Sequence, residues 1–199
     1  MLYSQKIRKS LVAIQEMGIK IDIICPDHGI IWRKNPGRII DAYLKWSNHE
    51  TENKAVVIYD TMWKSTQAMA EAIAGGIASE GVAVKPIHIR KSHRSEILTE
   101  VLDARAVVVG APTLNNQIFP TVVDVLTYMK GLKPKNKIGG AFGSYGWSGE
   151  SVKLIKQELE AMNFAVVDPG VKIQYVPGAE ALNECYAYGQ TIGKAVLGR

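Results

Sequence analysis

The turn Asp60-Thr61-Met62-Trp63-Lys64-Ser65-Thr66 places three hydroxyl side chains between an apolar run, Val56 to Tyr59, and a segment of helical period that reaches Ile77. Thr61, Ser65 and Thr66 offer hydroxyl donors, and the helix that follows points unpaired N–H groups and its positive dipole end at the same place. That arrangement suits an anion. A nucleoside triphosphate loop would read G-x-x-x-x-G-K-[ST] and a dinucleotide fingerprint G-x-G-x-x-G; this turn has no glycine. A hydroxyl-lined turn fits a terminal phosphate monoester, which serine and threonine can wrap without lysine or metal. The plainer reading is helix capping by the same side chains, but three hydroxyls directly after a strand favour the phosphate.

The elements around the turn follow a regular alternation. Apolar strand candidates at 55–60, 82–88, 105–110, 137–143 and 171–175 alternate with helix candidates at about 65–79, 94–102, 118–129, 150–162 and 179–196. Such alternation predicts an α/β fold, a five-stranded parallel sheet with helices on both faces. Right-handed crossovers leave few topologies, and the flavodoxin-like order 2-1-3-4-5 suits this length. A ligand then sits beyond the carboxyl ends of the first, third and fourth strands. Those ends carry the turn at Asp60–Thr66, the segment Gly110-Ala111-Pro112-Thr113-Leu114-Asn115-Asn116, and the segment Gly143-Ser144-Tyr145-Gly146-Trp147-Ser148-Gly149. One offers hydroxyls, one amides, and one two aromatic rings among glycines that let backbone approach a flat ligand. Flavin mononucleotide (FMN), with a phosphate at one end and a planar polar ring at the other, has that shape. Taken singly, Pro112 to Asn116 is ordinary turn chemistry, and Tyr145 and Trp147 are ordinary packing residues; their coincidence at three neighbouring strand ends carries the flavin reading.

Ahead of this domain lies a different kind of segment. Ser4 to Met17 has helical spacing, Ile19 to Cys25 reads as a short buried strand, and IIWRKNPGRIIDAYLKW suggests a turn and a short helix. The polar stretch Ser47 to Lys54 reads as a linker, which gives a short α/β segment at 1–53 and a ligand-binding domain at 54–199.

Composition narrows the function classes. The 199 residues are 47% hydrophobic and 22% charged, as in globular proteins, and no apolar run approaches the roughly 20 residues of a membrane span. The amino-terminal stretch is amphipathic rather than signal-like, so the expected location is the cytoplasm. Cys25 and Cys185 are far apart in sequence and form neither a disulfide framework nor a C-x-x-C pair; both are expected to be buried or partly buried reduced thiols. The formal net charge of +5 is uneven: Lys130, Lys133, Lys135 and Lys137 crowd one loop, and Arg90, Lys91, His93 and Arg94 another. These are solvated loops or a docking face for an acidic partner. Nucleic acid is disfavoured because no aromatic residues alternate with the lysines.

The loops DTMWKST, GAPTLNNQIFP and GSYGWSGE resemble those of the flavodoxin domain of flavodiiron proteins, the A-type flavoproteins, and ICPDHGIIWRKNPGRIIDAYLKW resembles the end of the metallo-β-lactamase-like diiron domain that precedes it. The resemblance covers nearly the whole chain. It implies FMN held at its phosphate by Thr61, Met62, Trp63, Ser65 and Thr66, with Pro112, Thr113, Leu114, Asn115 and Asn116 and Ser144, Tyr145, Gly146, Trp147, Ser148 and Gly149 around the isoalloxazine. It also implies that His28 corresponds to the last histidine ligand of the diiron site. The H-x-E-x-D-H ligand cluster of that family does not occur in this sequence, and one histidine cannot hold two irons. His28 is therefore an orphan ligand, expected to be without metal unless a missing domain is supplied.

In that family the flavin takes electrons from a rubredoxin or a flavin reductase and passes them to the diiron centre, which reduces oxygen or nitric oxide. A head-to-tail dimer brings the flavin of one subunit near the iron of the other, so a homodimer is a possible state here. No acid–base catalytic residue is implied. The alternative is a free-standing flavodoxin-fold FMN quinone or nitro reductase, for which no nicotinamide motif is evident and which leaves HGIIWR unexplained. A module that has lost its flavin would not retain the polar and glycine residues of all three loops, and a phosphoacceptor receiver domain would need an aspartate where Gly110-Ala111-Pro112 stands.

Overall fold

A computed structural model describes residues 2–199. The chain divides into two compact units, the first ending at Glu50 and the second running from Thr51 to Arg199.

In the first unit, α1 (Ser4–Glu16) and α2 (Gly37–Ser47) are joined by a long irregular segment. Arg8 donates to the Ser47 carbonyl at 3.2 Å and to Asn48 Oδ1 at 3.3 Å, and Tyr43 meets Trp46 edge-on. The strand expected at Ile19–Cys25 does not form. Only one antiparallel bridge, Ile24 to Trp32, occurs there, and Ile19 and Ile23 are exposed, because an apolar alternation without a partner strand leaves its backbone unpaired. Cys25, expected to be at least partly buried, is exposed on the same segment. Among the described residues of this unit no apolar side chain is buried.

The second unit is built on a parallel sheet of β1 (Glu52–Tyr59), β2 (Ala83–His88), β3 (Ala104–Gly110), β6 (Ile138–Tyr145), β7 (Ala165–Val166) and β8 (Val171–Gln174), with a small hairpin of β4 (Thr113–Leu114) and β5 (Gln117–Ile118) beside it. The order β2-β1-β3-β6-β7, with β8 also on β6, is the expected 2-1-3-4-5 with its last strand in two pieces. Pro169 has no N–H to donate, and Gly170, at φ 80°, passes so close to the Ala141 carbonyl that a Cβ would lie 2.6 Å from it, so β7 and β8 pair with different halves of β6. β1 also begins earlier than the pattern suggested, because Glu52 and Lys54 already pair with Ala104 and Ala83.

Both faces of the sheet are covered, which is why its central strands read as continuous apolar runs rather than alternations. One face packs Val56, Ile58, Val107 and Val109 under α4 (Arg94–Asp103), α5 (Pro120–Leu132) and α6 (Glu150–Ala161). The other packs Val57, Val108 and Phe142 under α3 (Ser65–Ser79) and α7 (Ala179–Val196). These last two helices cross almost backbone to backbone: a Cβ on Gly76 would lie 2.0 Å from the Tyr186 carbonyl oxygen, and one on Gly189 would lie 2.2 Å from that of Ile73. Only glycine fits either place. Tyr188 pins α7 to the sheet, its hydroxyl donating to the Val167 carbonyl at 2.9 Å and accepting from the Ala141 amide at 3.2 Å. The effect of this packing is to hold the carboxyl ends of β1, β3 and β6 side by side.

Candidate functional site

Hydrogen bonds tie the three loops together. Thr66, fully buried in the first turn of α3, shares a 3.0 Å hydroxyl–hydroxyl bond with Ser144 at the end of β6. Asn116 Oδ1 accepts from Ser148 Oγ at 3.4 Å, and Thr113 Oγ1 donates to Ser151 Oγ at 3.0 Å while accepting from the Ser151 amide. The segment Pro112 to Asn116 is more regular than its composition implied: Thr113–Leu114 and Gln117–Ile118 form a hairpin closed by Asn115 and Asn116 at φ 48° and 59°. Two consecutive positive φ values are the mark of a type I′ turn, and an Asn pair between short apolar runs is its sequence signal.

Around this framework the sequence-assigned residues divide by exposure. Trp63 and Trp147 are 85% and 95% exposed, and Met62 is 42% exposed. These side chains have no structural reason to face water, and large exposed apolar side chains gathered at one place indicate a binding surface. Tyr145 is half-buried, with Gly149 against its ring so closely that a Cβ there would meet it at 2.9 Å, and with Lys172 5.9 Å from its centroid. Pro112 is buried, Ser65, Thr113, Leu114 and Gly146 are half-buried, and Asn115, Asn116 and Ser148 are exposed. His28 is exposed in the first unit, and among the described residues no group of three or more His, Cys, Asp or Glu side chains is placed to hold a metal ion.

The first turn has the character of an anion cradle. Lys64 takes the left-handed conformation at φ 69°, and α3 then starts at Ser65 without any side-chain cap, so its leading N–H groups have no side-chain acceptor. Beside them Thr61 Oγ1 is buried and has no hydrogen-bond partner. A buried hydroxyl left unpaired costs free energy, and it is explained if a ligand oxygen belongs there.

Beneath the cradle lies a group the sequence reading passed over as a turn residue. Asp60 is fully buried. Its Oδ1 accepts from the Thr61 amide at 2.6 Å, Arg90 Nε at 2.8 Å and His88 Nε2 at 3.2 Å, and its Oδ2 from Thr121 Oγ1 at 2.5 Å. Burial alone would raise the pKa of this carboxyl, but the bonds from Thr121, Arg90, the Thr61 amide and His88 outweigh it and hold the group below the usual carboxylate range. Nothing local in the sequence links Asp60, which directly follows the apolar end of β1, to Arg90 and Thr121.

The basic loops lie at opposite ends of the sheet. Arg90, Lys91, His93 and Arg94 follow the carboxyl end of β2, on the edge that carries the three loops, whereas Lys133, Lys135 and Lys137 precede the amino end of β6. The eight residues of β6 put roughly 25 Å between those edges. Lys130 is paired with Glu158, and Lys137 is buried with its ammonium on the carbonyls of Leu102 and Ala104, so the exposed charge of the lysine cluster comes mainly from Lys133 and Lys135.

A match to the flavodoxin family covers residues 57–189. The chain belongs to the flavodoxin family. Within it, the chain matches the C-terminal flavodoxin domain of flavodiiron proteins. A nitric oxide reductase of Moorella thermoacetica is 45% identical over 197 residues, 98% of this chain and 49% of that protein. The solved rubredoxin oxygen:oxidoreductase of Desulfovibrio gigas is 39% identical with a TM-score of 0.93, over 98% of this chain and 49% of its own. The flavodiiron protein of Giardia intestinalis is 31% identical, again with a TM-score of 0.93, over 99% of this chain and 49% of its own. The chain therefore spans about half the length of the relatives it matches. Membership in the flavodoxin family implies FMN, and the unpaired Thr61 hydroxyl beside an uncapped helix start fits its phosphate.

Proposed function

We propose that this chain is the FMN-binding electron-transfer domain of a flavodiiron-type oxygen or nitric oxide reductase, relaying electrons from a rubredoxin-like or flavin reductase donor to a diiron centre supplied by residues outside this sequence. The observation that carries the reading is the Thr61 hydroxyl, buried and unpaired next to the open amino end of α3. Thr61, Ser65 and Thr66 hold the phosphate, while Met62 and Trp63 flank it. Pro112 to Asn116 and Ser144 to Gly149 border the isoalloxazine, with the Asn115–Asn116 turn and the Thr66–Ser144 bond fixing the spacing of these loops before any ligand arrives. When bound, FMN supplies the redox chemistry. The protein's share is to set the pose of the ring, exclude water from it and bring the donor close. No side chain need act as a general acid or base.

Residues 1–53 belong, in the same reading, to the end of a metallo-β-lactamase-like domain, with His28 as one ligand of a centre whose other ligands lie elsewhere, and residues 54–199 form the flavin domain. An acidic donor docks at the carboxyl edge of the sheet beside Lys91 and His93, with Arg94, which is paired with Asp124, next to them. A head-to-tail homodimer would bring each flavin to the partner's metals. A cytoplasmic setting belongs to the same reading; among the described residues no helix is long and apolar enough to cross a membrane.

The test is reconstitution. Purified chain, shown to be folded by circular dichroism, is titrated with FMN and with riboflavin while flavin fluorescence and visible absorption are followed, and its metal content is measured. Tight one-to-one FMN binding with weaker riboflavin binding, and reduction of the bound flavin by reduced rubredoxin, is the expected result. A folded chain that binds neither flavin refutes the reading.

A further inference from the structure

The carboxylate of Asp60 is out of place on a simple view of the site. A buried anion one residue from a turn that is to hold a phosphate dianion repels the ligand, and an apolar residue would pack as well at the end of β1. Its hydrogen bonds show what it is for. The Thr61 amide donates to Asp60 Oδ1, and Arg90, whose Nε donates to that same oxygen, also donates through an outer nitrogen to the Thr61 carbonyl. Both backbone polar groups of Thr61 are therefore taken by two side chains that grip each other. The peptide planes on either side of its Cα are fixed, and the Thr61 hydroxyl is left as the group with no partner.

Several elements meet on this carboxylate. Asp60 directly follows β1, His88 ends β2, Arg90 comes from the short turn after β2, and Thr121 from the first turn of α5. Arg90 is further steadied over the Phe119 ring, 5.8 Å from its centroid. The Arg90 guanidinium also offsets the Asp60 charge directly beneath the turn, so a phosphate meets a locally neutral floor.

Resting on the FMN reading above, we propose that Asp60, Arg90 and Thr121 form a clamp that presets the turn after β1, making Asp60 and Arg90 positioning residues that select a flavin carrying a phosphate over one lacking it. The clamp acts on the phosphate end alone. Its loss lowers FMN affinity and leaves riboflavin affinity in place, whereas a merely structural role lowers both together.

The experiment measures dissociation constants for FMN and riboflavin, by quenching of flavin fluorescence, on the full chain and on Arg90→Ala, Arg90→Lys and Thr121→Val, together with the melting temperature of each apoprotein. Arg90 is half exposed, and without it Asp60 keeps the donors Thr121, His88 and the Thr61 amide; the melting temperatures report any stability the lost ion pair removes. Arg90→Ala is expected to weaken FMN about tenfold, the loss typical of one charge-assisted hydrogen bond, with riboflavin changed by less than about twofold. Arg90→Lys is expected to behave similarly, because an ammonium cannot span both Asp60 and the Thr61 carbonyl as the planar guanidinium does. Thr121→Val shifts the ratio in the same direction. A wild-type chain that prefers FMN, with a ratio that survives both Arg90 substitutions, overturns the clamp alone. A wild-type chain without that preference overturns the phosphate reading and the clamp with it.

Discussion

Replacing Thr61 by valine should move stability and ligand affinity in opposite directions. Thr61 is 6% exposed, and its hydroxyl is buried without a partner, so the side chain bears a desolvation cost of about 1–3 kcal/mol that is not recovered in the apoprotein. Valine has nearly the same shape and no hydroxyl. It is β-branched like threonine, and the bonds from the Thr61 amide and carbonyl to Asp60 and Arg90 do not involve the side chain. The apoprotein should therefore gain about 1 kcal/mol, which for a domain of this size raises the melting temperature by about 2–4 °C. In the holoprotein the same hydroxyl is assigned to the phosphate, and a hydrogen bond to a charged group contributes about 1.5–3 kcal/mol, so FMN affinity should fall about ten- to a hundredfold. Riboflavin affinity should not change. Thermal melts of the apoprotein and fluorescence titrations with both flavins measure the two effects, and the extra stabilisation given by saturating FMN should shrink accordingly. Thr61→Ser, which keeps the hydroxyl, is the control and should retain FMN affinity. A Thr61→Val apoprotein that melts lower than wild type, or an FMN affinity that does not change, refutes the assignment of this hydroxyl to a ligand.

Other expected outcomes test separate parts of the structure. Trp147→Ala should leave apoprotein stability within about 0.5 kcal/mol, because its side chain is 95% exposed, yet shift the visible spectrum of bound flavin; identical spectra and affinities would remove Trp147 from the site. Asp60 has a folded-state pKa below its ordinary value of 3.8, so its contribution to stability is present above that value and is lost as pH falls through the lower, folded one. Acid unfolding of Asp60→Asn followed by circular dichroism should accordingly be less steep below about pH 4 than that of wild type, and equal slopes would show that the carboxylate is not the group titrating. Of the two thiols only Cys25 should react quickly with a disulfide reagent in the folded protein. Burial pushes Cys185 up to about 11, leaving roughly one part in a thousand as thiolate at pH 8; two fast thiols before denaturation would contradict its burial under α3. Lys133→Glu with Lys135→Glu should leave reduction by an acidic donor within about twofold at physiological salt, since the loops lie well beyond the Debye length, whereas Lys91→Glu with Arg94→Glu should slow it several-fold. Stopped-flow rates showing the reverse order would move the docking face to the other end of the sheet.

The parts of this fold that were legible in the sequence are those whose signal is local. β1, β3 and β6 show as unbroken apolar runs because parallel strands covered on both faces have no polar side, and α3, α6 and α7 follow from period. The hairpin at Thr113–Ile118 had a usable signal in Asn115–Asn116, but strands of two residues are too short to stand out in composition. The last strand read as one element, yet its pairing with β6 depends on how Pro169 and Gly170 pass the Ala141 carbonyl. Ile19 to Cys25 had the right residues for a strand and no neighbour to pair with. Sequence pattern gives a strand's appetite for burial and says nothing of its partner. At the site, the hydroxyls, amides and aromatics could be read because each loop carries its own chemistry. The Asp60 cluster could not, since its members are separated by up to 61 residues and none is unusual where it stands.

Two charged side chains are buried in the sheet domain, and their different treatment marks which end of the sheet has work to do. At the amino edge Lys137 sits on the Leu102 and Ala104 carbonyls, and burial brings its pKa down to about 8 despite the opposing field of Asp103. Its role is to satisfy backbone oxygens where α4 turns into β3, which a neutral amine still does through its N–H groups. At the carboxyl edge Asp60 receives four donors from several elements and stays ionised. Four converging donors cost ordering and desolvation that a packed leucine would avoid. They are understandable where an exact backbone position is needed, and the turn they hold is the one in which Thr61 offers a hydroxyl to a ligand.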